Sequence, residues 1–181
     1  MDQFLSQTMS LLSRTPATLD ALLRDLPDEL TYTNEGENTW SAFGVVGHLI
    51  GGERTDWIPR SRIILRYGVT RAFNPFDREG HKRECEGKTL AQLLDEFVRV
   101  RSENLLELRA WNLQPTDLEK RGMHPSLGPV TLSQLLATWA GHDLTHLHQI
   151  SRILAYQYRD AVGPWGQYLG VLQCNGHSAA G

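Results

Sequence analysis

Two histidines four residues apart are the first residues in this 181-residue chain whose types and spacing can do chemistry. They are His142 and His146, in the run Gly141-His142-Asp143-Leu144-Thr145-His146-Leu147-His148-Gln149-Ile150. On a helix, that spacing brings both imidazoles out of one face a turn apart, the way a helix offers two ligands to one metal ion. The neighbours decide which face. Leu132, Leu135, Trp139, His142, His146, Ile150 and Ile153 follow one another at steps of three and four, so the pair lies in the apolar stripe and faces the interior. His148 stands two residues beyond His146, roughly 200° around the helix, and reads as surface or interface.

A third imidazole has the same character. Val45, His48, Leu49 and Gly52 share one side of another helical stretch, with Gly52 leaving room beside His48. An unpaired imidazole in a core costs on the order of a few kcal/mol, and one divalent cation would satisfy all three. The competing reading pairs each ring with a carbonyl or a water, and seven histidines supply a spacing of four by chance often enough to keep that reading open.

Four helical segments must position these residues. The first runs from about Phe4 to Leu26; Thr15-Pro16 interrupts it, with Thr15 as a cap for the part that restarts at Pro16, leaving one kinked helix or two. The second starts after Ser41 as N-cap and continues towards Leu65, with a kink expected at Pro59. Thr89 caps the third, whose apolar face is Leu90, Leu93, Leu94, Phe97, Val100, Leu105 and Leu108. Thr131 caps the fourth, which reaches about Tyr158. Long connections over 66–88 and after Trp111 carry the Gly and Pro residues. Alternating period-two runs are nearly absent. The expected class is all-α: a four-helix bundle with long crossover connections and a short C-terminal helix near 163–170. The expected domain covers 1–172, with a flexible tail over 173–181.

Composition narrows the function classes. An apolar fraction of 40% suits a soluble domain, and a net charge of −3 offers no basic face for phosphates, so neither nucleic acid nor a membrane surface is an expected partner. The longest near-apolar run, 42–52, is too short to span a bilayer and contains His48, and no basic leader precedes it, so the chain reads as cytoplasmic. Cys85 and Cys174 are too few and too far apart for a disulfide framework or a cysteine zinc site. A metal here must be held by histidine or carboxylate.

Other polar residues have plainer readings. His124 and His81 read as solvated loop residues, although His124 could line a pocket mouth. Trp139 reads as core. Arg54, Asp56, Arg60 and Arg62 read as a solvated face, Arg152 is not assigned to the site, and Glu53 and Asp143 fall off the inward stripe.

Taken as a set, several stretches resemble the DinB-like metal-binding superfamily: Trp40-Ser41 with Val45-Val46-Gly47-His48-Leu49, then Gly128-Pro129-Val130-Thr131-Leu132, Leu135-Leu136-Ala137-Thr138-Trp139, and His142-Asp143-Leu144-Thr145-His146 with Gln149-Ile150. Thr15-Pro16 joins the match, so the resemblance covers most of the chain. It implies a four-helix bundle, commonly a homodimer, with a divalent metal on His48, His142 and His146. It also implies thiol-dependent chemistry on small molecules, since characterised relatives join bacillithiol or mycothiol to electrophiles or isomerise maleylpyruvate with a thiol.

Three protein ligands leave open positions on an ion, the arrangement of a catalytic site. The leading expectation is a low-molecular-weight-thiol-dependent S-transferase, in which the metal holds a thiol cosubstrate as thiolate. A metal-dependent hydrolase uses the same ligands but asks for an inward carboxylate base. A dimeric binding module stabilised by its metal is the non-catalytic alternative. Imidazole ligands suit zinc or nickel, with iron or manganese also open.

Overall fold

Each long helix begins where a side chain can take up the first free amides. The computed structural model describes residues 3–75, 77 and 79–174. In chain order its elements are α1 (Gln3–Leu12), α2 (Thr15–Leu23), α3 (Asp28–Tyr32), α4 (Ala42–Thr55), α5 (Trp57–Tyr67), α6 (Gly80–Cys85), α7 (Leu90–Ala110) and α8 (Pro115–Leu118). A hairpin of β1 (Arg121–His124) and β2 (Gly128–Thr131) leads into α9 (Leu132–Tyr156), and α10 (Gly170–Gln173) follows a 3-10 turn at Gly163–Tyr168. Ser41 Oγ accepts the Gly44 amide at 3.2 Å, and Thr89 and Thr131 each close a reciprocal capping box, with Gln92 and Gln134.

The expected all-α bundle is the architecture found. Its helices are α1–α2, α4–α5, α7 and α9. α1 packs on α9, α2 on α7, α4 on both α7 and α9, and α5 on α9. Going round the bundle, first and second helices therefore lie across a diagonal, and so do third and fourth, so the connections over 24–41 and 111–131 have to cross the bundle. Among the described residues, no helix is long and apolar enough to cross a membrane.

Three local expectations change. The first segment is two helices, and Thr15 does not cap α2: Arg14 holds the N-cap position without a side-chain bond, while the Thr15 hydroxyl turns back to the Leu11 carbonyl at 3.5 Å. The second segment breaks at Asp56 rather than kinking at Pro59; Pro59 falls in the first turn of α5, where a missing amide costs nothing. The two long connections are built rather than loose. The first carries α6, and the second carries α8 and the hairpin, registered Arg121 to Thr131 through His124 to Gly128. α10 ends one residue past the boundary expected at 172. Of the expected tail, residues 175–181 lie outside the described ones.

The apolar interior comes in two parts. One gathers Leu5, Met9 and Leu12 with Trp57, Ile58, Ile64, Leu105, Leu108, Leu132, Leu136 and Trp139. The other gathers Leu19 and Leu23 with Val45, Val46, Leu49, Ile50, Leu93, Leu94, Phe97, Ile150 and Ile153. Every bundle helix contributes to both, and every one changes hands at the same level: between Leu12 and Leu19, between Ile50 and Trp57, between Val100 and Leu105, and between Ala140 and Ile150. His142, His146, Glu53, Arg101 and Asp143 sit at that seam, and His48 lies just inside the second group on α4.

Candidate metal centre

His48 arrives from the middle of α4, and His142 and His146 from one face of α9. Their Nε2 atoms converge: His48 to His142 is 2.9 Å and His146 to His142 is 3.1 Å, and the three ligand atoms all lie within 4.8 Å of one another. Two nitrogens bound to one ion at bonds of about 2.0–2.1 Å would stand about 2.9–3.4 Å apart for right-angle to tetrahedral geometry, so the two short separations fit a shared ion. His48 and His146 are 8% and 9% exposed, and His142 is half-buried.

Each ring is kept neutral. Burial, reinforced by the His146 and His81 imidazoles, pushes His48 down to about 3. Burial pushes His142 down to about 2, helped by His146, His48 and the Arg101 guanidinium. His146 is also lowered by burial, against the opposing pull of Gln149 and Asp143. Neutral imidazoles are what metal ligation requires. The His146 Nδ1–H donates to Gln149 Oε1 at 2.6 Å, which leaves its Nε2 lone pair aimed at the cluster. Among the described residues, His142 Nδ1 is buried without a hydrogen-bond partner.

Aromatic rings flank the cluster. The Trp40 ring lies 4.7 Å from His48, 4.8 Å from His81 and 6.2 Å from His146, centroid to centroid. Behind the cluster, Trp57 meets the His142 ring at 5.1 Å and stacks on Trp139 at 5.8 Å. Trp57 also occupies the space expected beside His48, since a Cβ on Gly52 would meet its Nε1 at 3.3 Å. His81 reaches the Trp40 ring because α6 lies directly on α4. The crossing is at Gly47, where an added Cβ would stand 2.4 Å from Cys85 Sγ and 3.1 Å from the His81 carbonyl oxygen. An Arg54 guanidinium bridging Glu84 and Glu96, and Lys88 on Glu96 at 2.6 Å, tie α6 to α4 and α7.

Below the histidines, the seam holds a charged layer. Arg101, 1% exposed on α7, donates to both oxygens of Asp143 at 2.6 and 2.9 Å, to Glu53 Oε1 at 2.8 Å and to the Leu12 carbonyl at 2.7 Å. The last bond satisfies a carbonyl left free where α1 ends. Glu53 also accepts from Trp139 Nε1 at 2.8 Å and from Asn104 Nδ2 at 2.9 Å. Burial disfavours the guanidinium charge, but Glu53 and Asp143 outweigh it and hold Arg101 above its ordinary value.

Several sequence expectations are corrected here. Glu53 and Asp143 are inward, 2% exposed each, not off the stripe; neither is free, because both are spent on Arg101. Asp56 is buried and paired with Arg60 at 2.6 Å rather than solvated, and burial raises its carboxyl against the Arg60 charge. Arg54 and Arg62 keep their place on the surface, Arg62 bonding Glu107 at 2.6 and 2.7 Å. His81 is half-buried against Trp40 rather than loose in a loop. His124 sits in β1, away from the cluster, where its Nδ1 accepts the amides of Ser126 and Leu127 at 3.1 Å and shapes the turn. Arg152 pairs with Glu35, His148 is exposed, and Trp139 is fully buried, as the apolar stripe suggests.

Comparison with known proteins bears on family and fold. The family described as the DinB superfamily matches residues 11–150. Among solved structures, YfiT from Bacillus subtilis, reported as a probable metal-dependent hydrolase with an unusual four-helix bundle topology, superposes with a TM-score of 0.71. It is 19% identical and covers 89% of this chain and 90% of its own, a likeness that speaks to the fold. No curated protein matches the sequence.

Proposed function

We propose, for a chain that belongs to the DinB superfamily, that His48, His142 and His146 hold a divalent metal ion and that the protein transfers a low-molecular-weight thiol to an electrophilic small molecule. The observation that carries the metal reading is the convergence of three Nε2 atoms on one point from rings that burial keeps neutral. Zinc or nickel suits an all-imidazole set. When bound, such an ion lowers the pKa of a coordinated thiol or water towards neutrality.

The chain's own residues then have defined tasks. His48 anchors the site to α4, and the two α9 histidines fix its orientation, with Gln149 locking the tautomer of His146. Trp40 covers one side of the imidazoles and keeps water from it, while half-buried His81 lies where a substrate would enter. Thiol transfer is preferred to hydrolysis because a thiolate needs no further base. Glu53 and Asp143, the carboxylates nearest in sequence to the ligands, are held by Arg101 and have no freedom to accept a proton from water.

Hydrolysis is the second reading. It is supported by what is reported of YfiT and by His81, the imidazole at the mouth that could serve as base. Elemental analysis of tag-free parent, His48→Ala and His142→Ala protein tests the ligands: about one ion per chain in the parent and loss in both variants is expected. Stoichiometric metal that persists in both overturns the assignment. Thiol consumption against a chromogenic electrophile, run beside ester cleavage, separates the chemistries. Metal-dependent ester cleavage without thiol consumption overturns the transfer reading.

A further inference from the structure

We propose that the buried layer of Glu53, Arg101 and Asp143 is the electrostatic seat of the ion, a positioning device whose net negative charge sets how tightly the three histidines hold a divalent cation. The inference rests on the metal reading above and assigns a role to groups that reading leaves unused. One guanidinium faces two carboxylates, so the layer carries one uncompensated negative charge in a place where all three residues are 1–2% exposed. A lone buried charge is costly, and replacing such ion groups by apolar residues is often neutral or stabilising, so folding gives no reason for the excess. The histidine site has the opposite imbalance: three neutral ligands would leave a divalent cation in a buried site with no counter-charge. Each imbalance relieves the other.

The placement is close. Asp143 follows His142 directly and precedes His146 by three residues, and Glu53 follows His48 by five on α4. The layer is also rigid. Asp143 is gripped at both oxygens, and Glu53 is pinned by Arg101, Trp139 and Asn104 together, so neither carboxylate can swing in to become a fourth ligand. The charged groups recorded beside Glu53 on α4–α5 are balanced: Asp56 pairs with Arg60, and Arg54 and Lys88 face Glu84 and Glu96, so neither set adds net charge. The negative charge therefore acts through space at fixed distance and leaves the open coordination positions free for substrate.

The test is cobalt(II) titration of metal-free, full-length protein at neutral pH, with visible absorption reporting coordination and a competing chelator reporting affinity. Asp143→Asn and Glu53→Gln remove one negative charge each while keeping shape and one acceptor. Both are expected to bind cobalt about tenfold to hundredfold more weakly, with an unchanged spectral shape showing that the three ligands are still in place. Folded variants that bind within twofold of the parent overturn the inference, even if their melting temperature has fallen, because a purely structural layer predicts that pattern. Glu53→Gln carries the test alone if Asp143→Asn does not fold. A parent that binds no cobalt overturns the metal reading itself, an outcome distinct from variants that match a binding parent.

Discussion

Replacing Gly47 with alanine should cost stability at a helical position where alanine ordinarily helps. In a helix interior, alanine is favoured over glycine by about 1 kcal/mol. At Gly47 the new methyl would stand 2.4 Å from Cys85 Sγ and 3.1 Å from the His81 carbonyl oxygen. The thiol is one rotatable bond from the backbone and can yield, but the carbonyl belongs to α6 and moves only with it. Overpacking of this kind costs about 1–3 kcal/mol, so, against the helix gain of about 1 kcal/mol, a net loss of up to about 2 kcal/mol is expected. That corresponds to a drop of up to about 8 °C in melting temperature for a domain of this size. Denaturant unfolding of metal-free protein measures it without interference from bound ion. The second arm is Gly47→Ala with Cys85→Ala. Because the deleted sulfur is the nearer obstacle, the double variant should recover about 1 kcal/mol relative to simple addition of the two single effects. A Gly47→Ala protein about 1 kcal/mol more stable than the parent, as helix preference alone would make it, or strict additivity, would show that α6 does not rest on α4 through this contact.

Two further outcomes follow from the histidines. In metal-free protein, His48 and His142 stay neutral down to about 3 and about 2, whereas in the unfolded chain they take up protons near pH 6.5. The unfolded state thus binds more protons below that value, so stability present above pH 6.5 is lost as pH falls, by about 2 kcal/mol per group between pH 7 and 5. Chemical denaturation of chelated protein at those two pH values checks this, and a flat profile refutes it. Gln149→Leu removes the acceptor of the His146 Nδ1–H and should weaken metal binding about tenfold to hundredfold, read by chelator competition; unchanged affinity would remove that residue from the site.

The parts of the molecule that were legible in the sequence are those set by local spacing. Ser41, Thr89 and Thr131 announce their helices because a cap acts within three residues. The inward imidazoles are readable because apolar neighbours at steps of three and four show which way a helix faces. The charged layer was not readable that way. Glu53, Arg101 and Asp143 each look like solvent-facing charges on their own helix, and they become compatible with burial only when three helices bring them together across 42 and 48 residues of chain. The hairpin was hidden because four-residue strands containing Gly122 and Pro129 leave no alternating pattern to detect. α6 was hidden because Gly80–Cys85 has no apolar stripe of its own and is held by its fit on Gly47 and by ion pairs. Trp40 carried a faint signal: an aromatic next to an N-cap, one of the few residues able to lie over a side chain two turns into the helix.

The level at which all four bundle helices pass from one apolar group to the other makes this domain two short bundles stacked end to end on shared helices. α1 gives way to α2 there and α4 to α5 just beyond, so two of the four struts are jointed near the same height, while α7 and α9 run through unbroken. Only the continuous pair transmits order from one stack to the other along its backbone. His48 stands on a jointed strut and His142 and His146 on a continuous one. A group gripping all three would work as a splint, handing the jointed side of the molecule the stiffness of the other.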